Sequence, residues 1–151
     1  MNEEIQISFG SLDSPFYIDY LSRTNAFSMT TEHFHPQYEI YYLLSGERNY
    51  FIRDRVYAME RGDLVFINKD ELHKTTNAAV PAHARLLINF HEQFVRGAYG
   101  EHADLLLQPF HVQNPVYRAS ARSRPFERLY MDVMNELRTQ PPGYELRLPY
   151  L

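Results

Sequence analysis

The chain has 151 residues, of which 44% are hydrophobic and 15% aromatic, and it carries a formal charge of −4 at pH 7. This length and composition suit a single globular domain and exclude a disordered chain, while the acidic balance argues against direct binding of nucleic-acid phosphates. Cysteine is absent, so disulfides are excluded. Neither a signal peptide nor a run of ~18 apolar residues is found, and we therefore predict a cytoplasmic protein without a membrane partner.

Short strands separated by turn residues are predicted over the first ~90 residues, a pattern typical of barrels and sandwiches. The third strand, over 38–45, is almost wholly apolar apart from Glu39. Both of its faces therefore need cover, one from the barrel lumen and one from another layer. Gly46 is predicted to turn this strand. The predicted strands cover residues 5–9, 16–21, 38–45, 48–53, 55–59, 63–67 and 85–90.

Two helices are predicted in the last third of the chain. The first covers 92–98 and is interrupted by Gly100. The second begins at Pro125 and ends before the Pro-Pro-Gly sequence at 141–143, because apolar residues recur there at three- and four-residue intervals and form one stripe. Two arrangements are open for the stripe, which packs either on the outer face of the barrel or on its copy in a second subunit. The stripe consists of Phe126, Leu129, Tyr130, Val133, Met134 and Leu137.

Residues 144–151 end on apolar side chains with no polar tail. A natural terminus inside an apolar segment would leave that segment unpaired. We therefore expect the chain to be a fragment of a longer protein.

Three histidines and one glutamate recur at defined offsets and form the candidate site. His33 and His35 share one face of a strand, with Cα atoms ~7 Å apart, which allows both to bind one metal ion. Glu39 would lie ~13 Å beyond His35 on a straight strand, so the set converges only if the chain bends, and Pro36 supplies a break. With His73 from a neighbouring strand, the set suits a divalent metal (zinc, iron, nickel or manganese) or a small polar ligand. The alternative is a lumen of hydrogen-bonded histidines with no metal.

These spacings resemble the two sequence motifs of the cupin superfamily. The first motif reads H-x-H, three or four residues, Glu, six residues, Gly, and the second reads G-x-x-x-x-x-P-x-G-x-x-H-x-x-x-N. Asn68 and Asp70 stand where the second motif has its proline and second glycine, and Phe27 replaces a glycine before the first motif. Asn and Asp accept tight turns, so we expect the turn to survive. The residues that fit are His33, His35, Glu39, Gly46, Gly62, His73 and Asn77.

A barrel followed by helices resembles, over nearly the whole chain, the N-terminal ligand-binding and dimerisation domain of AraC-type transcription regulators. The residues that carry this resemblance are 38–46, 61–67, 71–73, 85–90 and the helix from Pro125. It implies a mainly β fold, in which a cupin (double-stranded β-helix or jelly-roll) barrel precedes a C-terminal α-helical hairpin. It divides the chain into an N-terminal arm (1–15), the cupin barrel (16–91) and a helical dimerisation segment (92–151), truncated before a helix-turn-helix DNA-binding domain.

In function, the resemblance implies a sensor that binds a small-molecule effector such as a sugar, requires no cofactor and forms a homodimer. DNA would be contacted only through a C-terminal domain absent from this chain. The resemblance favours a lumen position for Arg85, whose strand face also holds Asn89, and an exposed ion pair is the alternative. Tyr41 lies in register with Glu39 and is expected either to stack on the ligand or to belong to the core. The expected dimer interface is Phe126, Leu129, Tyr130, Val133 and Leu137.

Two other functions stay open. A metal-dependent cupin enzyme, an oxygenase or isomerase, would hold its metal with the three histidines and Glu39 and leave an open position for substrate. No second carboxylate or other general base accompanies this set, so a non-enzymatic role is favoured. A carbohydrate-binding module without regulation is the third function. The remaining histidines fit no ligand spacing and are predicted to be structural or exposed: His83, His91, His102 and His111.

Overall fold

The predicted strands and helices lie close to their predicted positions, whereas the strand Val116–Tyr117 and the helix Ala103–Leu107 were not predicted. The computed structural model describes residues 4–11, 13–24, 35–79, 81–118, 124–143 and 146, with the backbone alone at 124–127. The strands in these ranges are β1 (Glu4–Phe9), β2 (Phe16–Arg23), β3 (Tyr38–Gly46), β4 (Arg48–Ile52), β5 (Arg55–Met59), β6 (Leu64–Ile67), β7 (His73–Asn77), β8 (His83–Phe90) and β9 (Val116–Tyr117). The helices are α1 (Glu92–Tyr99), α2 (Ala103–Leu107) and α3 (Arg124–Thr139).

Two antiparallel sheets enclose the lumen. The larger sheet has the strand order β1-β2-β8-β3-β6-β9, and the smaller has the order β5-β4-β7. Apolar side chains from both sheets meet between them, so alternate residues of each strand point inward. This inner cluster consists of Tyr41, Leu43, Tyr50, Ile52, Met59, Val65, Ile67 and Val116. The predicted mainly β barrel followed by helices is confirmed.

Three turns fix how the strands meet. Arg53 adopts a φ of 59° in the hairpin turn between β4 and β5. Asp70 adopts the same φ before β7, at the position where the cupin motif has its second glycine. Gly46 has a φ of 84°, and a Cβ there would lie 2.3 Å from the carbonyl oxygen of Ala82. Only glycine allows the end of β3 to approach the start of β8 this closely.

The outer face of the larger sheet is covered by helices, as the apolar sequence of β3 predicts. Tyr42 on β3 packs with Val133 and Leu137 of α3, and Tyr38 packs with Val95 of α1. Both faces of β3 are therefore buried, one against the lumen and one against a helical layer. None of the described helices is long and apolar enough to cross a membrane.

Two strands outside the predicted barrel segment pair with strands inside it. β1, within the predicted arm at 1–15, pairs with β2 at the edge of the larger sheet. β9, within the predicted helical segment at 92–151, pairs with β6. Residues 144–151, the apolar segment from which a longer protein is expected, lie outside the described residues apart from Leu146. The division into arm, barrel and dimerisation segment stays a prediction.

Candidate ligand site in the barrel lumen

A carboxylate and two imidazoles converge at one end of the lumen. β3 supplies Glu39, and β7 begins with His73. His35 lies before β3 and is separated from it by the expected bend at Pro36. Nε2 of His35 lies 3.4 Å, and Nε2 of His73 3.6 Å, from Oε1 of Glu39. The ligand atoms of the three residues, which we call the His–Glu cluster, lie within 4.8 Å of one another. The fourth predicted member, His33, lies outside the described residues.

Backbone carbonyls orient both imidazoles. Nδ1 of His35 lies 3.0 Å from the carbonyl oxygen of Gln37, and Nδ1 of His73 lies 2.7 Å from that of Glu71. A carbonyl oxygen only accepts hydrogen bonds, so each Nδ1 carries the hydrogen and each Nε2 faces Glu39. The backbone N–H of Asp70 donates to the carbonyl oxygen of His35 at 2.7 Å, so the divergent turn before β7 also supports the cluster.

The cluster holds a buried negative charge on Glu39. Burial acts to raise the pKa of Glu39, but its close contacts with His35 and His73 and the hydrogen bond from Tyr50 outweigh it and hold that pKa well below its ordinary value. Burial acts to lower the pKa of His73, and the bond and charge of Glu39 reverse that and raise it. Burial, then the charge of Glu39, raise the pKa of Tyr50 well above 10.0, so its hydroxyl stays protonated and donates to Glu39.

The donor set of the cluster fits a divalent metal. Two imidazole Nε2 atoms and a carboxylate oxygen suit zinc, iron, nickel or manganese. Hydrogen bonds from the opposite ring nitrogen to carbonyl oxygens, as at His35 and His73, fix the tautomer in which Nε2 is the ligand atom. A proton on Nε2 would satisfy the same geometry. The metal therefore stays a prediction with a specific structural basis.

The cluster opens on a cavity of about 240 Å³ inside the barrel. Side chains of both sheets line it, and most of them carry a polar or charged group. The described residues of its wall are Leu21, Arg23, Glu39, Tyr41, Arg48, Tyr50, His73, Thr75, His83, Arg85 and Leu87.

Arg85 and Asn89 occupy the inner face of β8, as the resemblance implies. Nη1 of Arg85 donates to the carboxylate and to the carbonyl oxygen of Asp19 at 2.8 and 2.9 Å. This ion pair is inside the barrel, so the alternative of an exposed pair is wrong. In the orientation that satisfies its neighbours, the Asn89 amide donates to Oε1 of Glu39 at 3.3 Å. Asn89 thus supports the His–Glu cluster, and a ligand-binding role for either residue stays a prediction.

Tyr41 lies in the cavity wall and in the core at once. Its ring meets that of Tyr50 edge to face, with centroids 5.1 Å apart. Burial raises the pKa of Tyr41 to about 12, although the charges of Arg48 and Arg85 act against the rise. The protonated hydroxyl is available as a donor or acceptor to a ligand in the cavity.

Sequence reasoning missed three basic residues at the other end of the cavity, Arg23, Arg48 and His83. Arg48 begins β4 and is 1% exposed, and His83 begins β8 and is buried beside Gly46. His83 was assigned no site from its spacing. Strand alternation was the available signal, because Arg48 shares a face with Tyr50 and Ile52, which are core residues.

The predicted dimer stripe divides between two environments. Val133 is 5% exposed and, with Leu137, packs on the larger sheet, whereas Leu129 is 41% exposed. Tyr130 is half buried, and its ring lies 6.1 Å from that of Tyr42. For Val133 and Leu137 the structure favours packing on the barrel. The side chain of Phe126 lies outside the described residues, and the dimer interface stays a prediction.

A second cavity lies on the outer face of the larger sheet. Its volume is about 350 Å³, and its wall, made by the sheet and all three helices, is almost wholly apolar. Ile40, Tyr42 and Leu86 contribute the sheet side, and Val95 and Val133 contribute the helical side. It therefore offers few of the polar contacts that fix a polar ligand.

Residues 16–150 match the model of a protein family described as AraC-like ligand binding domain. The chain belongs to this family. No match is found among curated proteins. The resemblance drawn from the motifs is thus confirmed, and the AraC-like match extends across the barrel, the outer helices and α3.

Solved structures similar to this AraC-like domain support the same fold. A conserved protein of unknown function from Streptococcus pyogenes is 18% identical over 59% of this chain and 75% of its own, with a TM-score of 0.51. A cupin superfamily protein from Desulfitobacterium hafniense is 16% identical over 59% and 78%, with a TM-score of 0.51. A cupin domain from Schizosaccharomyces pombe is 8% identical over 66% and 74%, with a TM-score of 0.53. The predicted cupin barrel is confirmed.

Proposed function

We propose that this chain is the effector-sensing domain of an AraC-type transcription regulator, and that its effector is a small polar molecule, of which sugars are one class. The observation that carries the proposal is the cavity of about 240 Å³ in the lumen, whose wall includes polar and charged side chains from both sheets. Drug-sized ligands occupy ~300–1,000 Å³, so this cavity suits a ligand of about the size of a monosaccharide.

β3 offers a physical connection from the effector to the rest of the regulator. Tyr41 lines the cavity, while its neighbour Tyr42 packs against Tyr130 of α3 on the outer face. A ligand that binds one conformation of β3 more tightly than another would increase the population of that conformation, and α3, which packs on β3, would move with it. Exposed Leu129 on α3 is the natural contact for a second subunit, and DNA would be bound by a helix-turn-helix domain after this segment.

Filling the cavity tests this function. Leu87 lies in the cavity wall, so Leu87→Trp is expected to abolish the rise in Tm that sugars, sugar acids or sugar phosphates cause in the unaltered chain. Leu105→Trp on α2 is the matched control, because Leu105 is exposed and far from the lumen wall. An unchanged ligand response in Leu87→Trp, with the fold checked by circular dichroism, would place the effector elsewhere.

A metal-dependent cupin enzyme is the second candidate function, and the orientation of His35 and His73 favours it. A metal bound by the His–Glu cluster would polarise an oxygen of the substrate or a water molecule. Glu39 would remain ionised, Tyr50 would hold its second oxygen, and Tyr41 would orient the substrate in the cavity.

Two measurements separate the enzyme from the sensor. If the chain is an enzyme, its metal content after purification should be near one ion per chain, and Glu39→Gln should lose this metal. Metal retained by that variant would exclude the His–Glu cluster as the metal site. Any bound compound should then be recovered after prolonged incubation with the metal-loaded chain. A sensor returns it unchanged, whereas a converted product would establish the enzyme.

A further inference from the structure

The apolar cavity on the outer face of the larger sheet lies between two layers of the fold. Ile40 of β3 and Ile88 of β8 line its sheet side, and Val95 of α1 and Val133 of α3 line its helical side. One turn of an α-helix with its side chains occupies ~400 Å³, which is more than the cavity volume of about 350 Å³. The cavity therefore suits a small molecule better than a segment of protein.

The volume of the cavity indicates the size of that molecule. An apolar cavity of ~150 Å³ inside a protein is large enough to bind benzene. The cavity described here has a volume of about 350 Å³, which is roughly twice as large, so it has room for two fused aromatic rings.

The three helices leave an entrance to the cavity. Tyr99 of α1, Leu106 of α2 and Leu129 of α3 all line the cavity wall. The same three residues are 38%, 46% and 41% exposed. Side chains that contact both the cavity and solvent lie where a ligand can enter, and their apolar character favours an apolar ligand.

The wall is rich in aromatic rings, which already pack on one another. The ring of Phe110 meets those of Phe66 and Phe90 edge to face, with centroids 5.3 and 5.6 Å apart. The rings of Phe16 and Phe94 are tilted, with centroids 5.5 Å apart. A further aromatic ring gains the same edge-to-face and offset contacts, which add to the free energy of apolar burial.

The chemistry of the wall favours a neutral ligand with one polar group. Among the described residues of this wall, none carries a charged side chain, and the polar ones are Tyr42, Tyr99 and Tyr130. Burial is the main cause that raises the pKa of Tyr130, so its hydroxyl is protonated at neutral pH and can donate or accept a hydrogen bond. A charged ligand would be buried without an opposite charge from these residues, at a large cost in free energy.

We propose that the cavity between the larger sheet and the helices is a second ligand site, which takes a neutral molecule of two fused aromatic rings that carries one hydroxyl or N–H group. This site is independent of the effector proposed for the lumen, because no described residue lines both cavities. A ligand here contacts Tyr42 on the sheet and Tyr130 on α3, and binding holds α3 on the sheet.

The first test compares a neutral and a charged molecule of the same ring size on the unaltered chain. 2-Naphthol and 2-naphthoate are titrated by calorimetry at neutral pH, where the first is uncharged and the second is an anion. We expect 2-naphthol to bind with a dissociation constant on the order of 10 µM. The naphthoate should bind at least about tenfold more weakly, because its carboxylate would be buried without a charged partner.

Two neighbouring leucines of α2 provide a variant and its matched control. Leu106 lines the cavity, whereas Leu105 is 63% exposed and lies outside the described wall. Leu106→Trp places a two-ring side chain at the entrance and should weaken 2-naphthol binding at least about tenfold. Leu105→Trp should bind it within about twofold of the unaltered chain, and circular dichroism checks the fold of both variants.

Hydrogen exchange locates the bound molecule without a substitution. Saturating 2-naphthol should slow exchange of the amides of α3 and leave those of β5 unchanged, because β5 belongs to the smaller sheet. This measurement on the unaltered chain decides the location if Leu106→Trp does not fold.

Each remaining outcome counts against the site. A chain that binds no 2-naphthol, or that binds the naphthoate equally well, would overturn the proposal. Normal binding by a folded Leu106→Trp variant would place the molecule elsewhere. Affinity that falls as the chain concentration rises would overturn the small-molecule site and assign this cavity to contact with a second copy. Loss of 2-naphthol binding in Leu87→Trp would show that the lumen, and not the outer cavity, holds the aromatic molecule.

Discussion

The two faces of the larger sheet use the same strands for opposite purposes. Its inner face, with Glu39, Tyr41 and Arg85, contributes polar and charged groups to the wall of a cavity of about 240 Å³. Its outer face, with Tyr42 and Leu86, lines an apolar cavity of about 350 Å³ beneath the helices. Neighbouring residues of β3 thus enter different environments, because side chains alternate across a strand.

The inner face supplies polar groups for binding, whereas the outer face supplies the apolar packing that stabilises the fold. Burying a polar group costs free energy unless it is hydrogen-bonded, so the charged lumen contributes little net stability. Burying apolar surface gains about 25 cal/mol per Å², so the outer cluster around Val133 and Leu137 stabilises the fold. Substitutions on the outer face should therefore change mainly the free energy of unfolding. Substitutions in the lumen should change ligand or metal binding as well.

The largest expected effect is on the outer face. Val133→Asp buries a carboxylate in an apolar cluster and is expected to lower the free energy of unfolding by more than about 4 kcal/mol or to prevent folding. Leu129→Asp, one turn earlier on α3 and exposed, should change it by less than about 1 kcal/mol. Urea denaturation measures both.

The same pair tests the predicted homodimer. Leu129→Asp should convert a dimer formed through the stripe into a folded monomer, which analytical ultracentrifugation would detect. A stable Val133→Asp variant would show that α3 does not belong to the core, contrary to the packing described above.

A smaller effect is expected in the lumen. Glu39→Gln removes the charge that faces His73 and should cost about 3 kcal/mol in the metal-free chain, since it leaves one partner of a buried pair behind. Glu47→Gln is the control, because Glu47 is exposed and its loss should be within about 0.5 kcal/mol of zero. Equal stability of the two variants would show that the His–Glu cluster is not charged in the fold.

The pH dependence of that variant sharpens the comparison. The pKa of Glu39 is lowered by folding, so its contribution is present above the ordinary value of 4.5 and is lost as pH falls. The pKa of His73 is raised, so its contribution is complete below the ordinary value of 6.5 and is lost as pH rises. Between these values the metal-free chain should gain most from the pair, and Glu39→Gln should flatten the profile. A bound metal reverses the upper limb, because it requires neutral imidazoles.

How much the sequence predicts also differs between the two faces. The outer face was readable, because the apolar run of β3 requires a second layer and the period of α3 supplies one. The His–Glu cluster was readable through motif spacing, although its convergence depends on the bend at Pro36. The burial of Val133 rather than Leu129 was not, since both lie on one stripe and only the position of α3 on the sheet separates them.

The group of basic residues at one end of the lumen could not be predicted from the sequence; it consists of Arg23, Arg48, Arg85 and His83. Arg48 begins a strand directly after Glu47, where a charged residue usually faces solvent. Its proximity to Arg23 and Arg85 depends on how two sheets face each other, which strand alternation does not encode. The pairing of Gly46 with His83 sets the end of the cavity, and it depends on a close backbone approach that becomes evident only in three dimensions.

The smallest expected effect concerns His83, which lies beside three arginines at one end of the lumen. Burial and the three guanidinium groups lower its pKa, so the unfolded chain binds the proton more readily and the folded chain loses stability as pH falls below 6.5. His83→Asn should remove this loss, and the difference between variant and unaltered chain cancels the opposite contribution of His73. Urea denaturation at steps between pH 7 and 5 measures it. A parallel pH dependence in both proteins would show that burial and the neighbouring guanidinium groups do not lower the pKa of His83.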